Sequence, residues 1–137
     1  MKPGGAVAFH EIALYEQYLS LASVPLWQQA VSWVISALRS VMAHPDAAGR
    51  LRAHFHDAGL GQPALFSEIP VDGGRSSPFY AWITLTVRSL LPQLEKVGIA
   101  TAAEVDIDTL EDRLRDSVSN VNGQAMAPPQ FCAWARV

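Results

Sequence analysis

The stretch MKPGGAVAFHEIAL, residues 1–14, decides how the rest of the chain is read. A lysine-proline-diglycine turn runs straight into the apolar segment Ala6–Ile12, which closes on His10, Glu11 and Ile12. A short apolar run bounded upstream by glycines suits a strand buried on both faces. Turns of this kind usually stand between a helix and the next strand of an α/β protein, so the chain is expected to be the back half of something larger.

Working outward, 137 residues of which 50% are hydrophobic and 17% charged suit one globular domain, 1–137, with a real core. Ten basic against thirteen acidic side chains give a net charge of −3, without a Lys/Arg cluster that would track a phosphate backbone, so nucleic acid is not an expected partner. The single cysteine, Cys132, excludes an internal disulfide and argues against a cysteine-based zinc site; a reducing, cytoplasmic setting is expected. The apolar region Val24 to Met42 is interrupted by Gln28, Gln29, Ser32, Ser36 and Arg39, the pattern of an amphipathic helix and not of a membrane span, so no membrane partner is expected.

Ser23 and Pro25 mark the start of that helix, with Trp27, Val31, Val34, Leu38, Val41 and Met42 inward. His44-Pro45-Asp46 ends it and caps a second helix, in which Leu51 and Phe55 lie one turn apart before Gly59 stops the coil and Leu60 folds back. Ala64 to Val71 reads as a strand with Pro70 near its end. Ser77-Pro78 caps a third long helix with Phe79, Trp82, Ile83, Val87, Leu90, Leu91 and Leu94 on one face, which Pro92 should kink. Thr101–Glu104 and Asp108–Glu111 both have capping-box spacing, and a helix from about Asp108 to Asn120 turns Leu110, Leu114 and Val118 inward. After Asn122-Gly123 and Pro128-Pro129, Gln130 to Val137 reads as the last strand.

The KPGG turn entering AVAFHE, the segment VPLWQQAVSWVISALRS, the helix closing in HDAGL, the strand ALFSEIPV and the ending PPQFCAWARV together resemble the C-terminal portion of a class I S-adenosylmethionine-dependent methyltransferase. The resemblance implies an α/β (or α+β) fold, a partial Rossmann-like sheet of about three strands. Ala6 to Ile12 would be the family's fifth strand, Ala64 to Val71 its sixth, and Gln130 to Val137 the antiparallel seventh inserted between them, order 5-7-6. The helical block at about 75–124 would be an insertion between the last two strands, lying over the substrate pocket as a cap. In such sheets a Gly-rich loop after the first strand and an acid after the second hold the cofactor. This sequence has no G-x-G-x-x-G, and Gly73-Gly74 follows a strand without the downstream acid. S-adenosylmethionine is therefore implied for the full-length family, while none is expected to be bound by this chain alone.

His10-Glu11 falls at the C-terminal end of a strand, where ligands gather in open α/β sheets, so a catalytic base or substrate contact is one reading and a plain strand end the other. Tyr15, Tyr18, Trp27, Tyr80 and Trp82 flank the region of the family's pocket and would wall a planar or apolar methyl acceptor, or serve as ordinary core. No catalytic residue is assigned. His54 and His56, two apart on a helix, do not aim both rings at one metal, and the acidic run Glu104, Asp106, Asp108, Glu111 and Asp112 reads as helix caps facing water. Two functions remain: the acceptor-side part of a small-molecule methyltransferase, inactive alone, or a non-catalytic homo-oligomeric binding module derived from one. With one edge of the fifth strand unpaired, a homodimer is expected.

Overall fold

The computed structural model describes residues 4–15 and 20–136. Its strands are β1 (Ala6–Ile12), β2 (Ser20–Leu21), β3 (Ala64–Glu68), β4 (Val71–Gly73), β5 (Gln124–Met126) and β6 (Gln130–Arg136), and its helices are α1 (Pro25–Val41), α2 (Leu51–Asp57), α3 (Phe79–Lys96), α4 (Ala102–Val105) and α5 (Leu110–Ser119). A 3-10 turn at Ala47–Arg50 leads into α2. The fold is mixed α/β with two small three-stranded sheets, ordered β1-β6-β3 and β2-β5-β4. β6 runs antiparallel to both of its neighbours, so β1 and β3 run parallel to each other.

β3 and β4, like β5 and β6, belong to one stretch of chain interrupted where proline removes a ladder donor. β4 follows β3 across Ile69-Pro70, and β5 leads into β6 through Ala127-Pro128-Pro129. Two backbone bonds span the interruption: Ala13 N–H donates to the Pro129 carbonyl at 2.7 Å and Ala127 N–H to the Pro70 carbonyl at 2.9 Å. The expected strand Ala64 to Val71 is therefore corrected to two strands in different sheets, and the second sheet is an addition, since its two- and three-residue strands show no readable alternation.

Most of the core belongs to the helices. Val31, Val34 and Ile35 of α1, Ile83, Val87 and Leu94 of α3 and Leu110, Leu114 and Val118 of α5 are buried together, and Ala125 of β5 closes the cluster against the second sheet. Trp27 joins it while its indole N–H donates to the Met126 carbonyl at 3.1 Å, which satisfies the one polar group that this burial would strand. A second, smaller cluster lies on the first sheet, where Leu51 and Phe55 of α2 pack on Ala133 and Ala135 with Val7, Leu60 and Phe131 at its margin. Gly59 adopts a φ of 69° and Leu60 N–H bonds back to the Phe55 carbonyl, the left-handed helix end that glycine accommodates.

Several expectations need correction. β1 is not buried on both faces: Ala6, Ala8, Phe9 and His10 are exposed, as is every residue of β3, because α2 covers only part of one face of the sheet. Ser23 does not cap α1; the Ser20 hydroxyl accepts from Val24 N–H instead. Asp46 and Asp108 cap nothing and pair with Arg39 and Arg88. On α3 the buried aromatic is Tyr80, with Trp82 turned outward, and Pro92 lies inside the helix. Thr101–Glu104 forms a complete capping box, and the Thr101 amide and hydroxyl hold the Glu104 carboxyl below its ordinary range.

Leu114→Ala should cost about 2–5 kcal/mol by emptying part of the helical core, whereas Leu85→Ala, at a site 64% exposed, should stay within about 0.5 kcal/mol of the parent. Urea unfolding of both variants measures the contrast.

Candidate functional site

β1 and β3 each end an apolar run in polar residues, and the register decides which of these meet. His10 and Phe66 both lie opposite Cys132, while Ile12 and Glu68 both lie opposite Gln130. Residues directly opposite share a face, so His10, Phe66, Glu68 and Cys132 all project from the face that α2 leaves uncovered. His10 Nε2 lies 3.6 Å from Glu68 Oε1, a diagonal imidazole–carboxylate contact reaching across β6 near the carboxyl ends of two parallel strands. Both side chains are at least half exposed. With Ala8, Phe66 and Trp134 they border a shallow cleft of about 350 Å³.

This arrangement offers an imidazole oriented by a carboxylate above an apolar floor, which can move a proton from a bound hydroxyl or amine. It does not make Cys132 a nucleophile. Burial, and secondarily the Glu68 carboxylate, push the Cys132 thiol above its ordinary range, and a thiolate is what nucleophilic chemistry needs.

The other candidates are dispersed. Glu11 projects from the opposite face, beside Phe9, Leu51, His54 and Phe55 in an apolar groove of about 280 Å³. Tyr15 packs edge-on against Phe131 at 6.5 Å, and Tyr18 lies outside the described residues. Trp27 and Tyr80 are fully buried in the helical core. Trp27 stacks on Phe79 at 6.3 Å and meets Tyr80 edge-on at 6.2 Å, and Phe79 in turn contacts the half-exposed Trp82. The Tyr80 hydroxyl donates to the Gly74 carbonyl, and its burial raises its pKa, so it stays a neutral donor. These helical aromatics and His10 belong to different parts of the fold and share no cleft among those described here.

Sequence reasoning missed Glu68, Phe66 and Trp134. The signal for Glu68 was its layout: ALFSE, like AVAFHE, is an apolar run closed by a carboxylate. It also missed a polar cleft of about 770 Å³ at the far end of the second sheet, lined by Asp72–Arg75 and by Ser119, Asn120 and Asn122–Gln124. Its charged groups are already engaged: Asp72 accepts from Gly73 N–H and the Ser77 hydroxyl, and Arg75 pairs with Asp116 at 3.1 Å.

Among the described residues the glycine pairs at 73/74 and 59/61 do not form the strand-to-helix turn that cradles a nucleotide. Gly74 has a φ of 79°, yet Asp72 beside it is spent on its own loop and stands on the same strand, where a ribose-binding acid would have to come from a neighbouring one. The Gly59-Leu60-Gly61 pair follows a helix and closes it, so it opens no phosphate-binding turn. Among the described residues no group of three His, Cys, Asp or Glu could hold a metal ion, and no helix is long and apolar enough to cross a membrane. No protein-family model and no curated protein matches this chain.

Iodoacetamide should alkylate Cys132 at pH 7.5 much more slowly than free cysteine, and Glu68→Gln should speed it only modestly, because burial is the larger cause of the shift. Mass spectrometry of timed aliquots gives both rates.

Proposed function

We propose that this chain carries the acceptor side of an S-adenosylmethionine-dependent methyltransferase that acts on a small molecule. The observation that supports the reading is the first sheet itself, in which the last strand of the chain lies antiparallel between two parallel strands whose carboxyl ends bear His10 and Glu68. The position accords with the rule that open α/β sheets bind ligands beyond the carboxyl ends of their strands. In this reading the acceptor rests on Phe66 and Trp134, Glu68 keeps His10 Nε2 engaged, and His10 Nδ1 receives the acceptor's proton. The elements that hold the methyl donor lie beyond β1, along the edge that pairs with no other strand among the described residues.

The test is calorimetry with adenosylhomocysteine on two samples, this chain and the polypeptide encoded by extending its reading frame upstream. No specific heat is expected for the first and micromolar affinity for the second. Micromolar binding by the chain alone, or an upstream frame without a strand, Gly-rich turn and helix, would overturn the proposal. In the extended protein His10→Gln should lower kcat by about 10²–10⁴-fold, the usual worth of a general base.

A second reading, a homo-oligomeric module without catalysis, draws on the apolar surface of the same sheet: Phe9 is 47%, Phe66 55% and Trp134 44% exposed. β1 also carries no proline or lysine to discourage edge pairing. Light scattering at micromolar concentration should give a dimer, and Phe9→Lys should shift it toward monomer. A monodisperse parent monomer would count against this reading and leave the first intact.

A further inference from the structure

The 3-10 turn and α2 place Arg50, Arg52 and His56 along one cleft in a chain whose net charge is −3. Arg52 and His56 stand four residues apart and share a helix face, an arrangement that is unfavourable when both are charged unless an anion lies between them. The chain then turns back through Gly59 and Gly61, both with positive φ, and brings Gln62 alongside. Arg50, Arg52, His56 and Gln62 line one cleft of about 420 Å³, with Gly49, Ala53 and Gly61 leaving its walls low.

Among the described residues four of the eight arginines meet a carboxylate, while Arg50, Arg52, Arg113 and Arg136 do not. Arg39 pairs with Asp46, Arg75 with Asp116, Arg88 with Asp108, and Arg115 with Glu111 and Asp112. Among the described residues neither Arg50 nor Arg52 meets a carboxylate: of the nearest acids in sequence, Asp46 pairs with Arg39 at 3.0 Å and Asp57 lies 3.3 Å from His56 Nδ1. Two arginines, a histidine and a glutamine thus border one cleft with more donors than a carboxylate's two oxygens can use, which suits the three oxygens of a phosphate group.

We propose that this cleft binds the phosphate of a small phosphorylated molecule. The proposal is independent of the methyl-transfer reading, since the cleft lies on α2 and shares no residue with the His10–Glu68 face.

The test titrates inorganic phosphate and phenyl phosphate, with acetate as the carboxylate arm, into the isotopically labelled protein while the amide resonances of Gly49 and Gly61 are followed. Saturable shifts with both phosphates and not with acetate are expected. Arg50→Gln and Arg52→Gln, each at an exposed position, should weaken binding about tenfold or more, as the loss of a charge-assisted pair would. Equal shifts with acetate, linear shifts without saturation, or undiminished affinity in both variants with the remaining spectrum unchanged would overturn it.

Discussion

Two backbone hydrogen bonds hold this molecule's two halves in register. Where prolines at 70, 128 and 129 deprive the ribbons of ladder donors, Ala13 N–H and Ala127 N–H reach across to the carbonyls of Pro129 and Pro70. A proline can still accept, and paired strands can therefore bend at their prolines without losing continuity. In the second sheet the strands are short and Ala125 of β5 packs into the helical core; in the first they are longer and α2 packs on one face.

The same division explains the chemistry. A histidine and a glutamate on the two outer strands, were they buried under α1, α3 and α5, would need full desolvation. On the uncovered face they keep water and still stand 3.6 Å apart. The aromatic residues took the opposite course: Trp27 and Tyr80 found partners for their N–H and O–H groups in the Met126 and Gly74 carbonyls and sank into the core.

How much the sequence disclosed depends on the length over which a pattern could repeat. Leu110, Leu114 and Val118 recur at helical spacing, and all three are fully buried. Thr101 and Glu104 sit three apart and form their box. β1 and β6 were long enough to read, but apolarity alone does not say whether a second layer exists, and AVAF proved to be a half-covered strand. Ser20–Leu21, Val71–Gly73 and Gln124–Met126 were invisible because two or three residues carry no period. His10 was legible as a strand-end residue; its partner Glu68 was not, because a diagonal contact across a third strand requires the register. Arg50 and Arg52 drew no notice because a cleft arises from the chain's return at Gly61, not from neighbours in sequence.

The pairing of β1 with β6 carries a kinetic consequence. Ala6 lies opposite Arg136, so this ladder joins segments separated by almost the whole chain, and closing so large a loop is entropically the dearest step in assembly. The contacts among α1, α3 and α5 enclose shorter loops and bury far more apolar surface. Loop-closure entropy thus favours nucleation in the helices, with the outer sheet added afterwards. The strands bearing His10 and Glu68 are then the last to be organised and the first to fray, a local opening that amide exchange would register well below the global unfolding free energy.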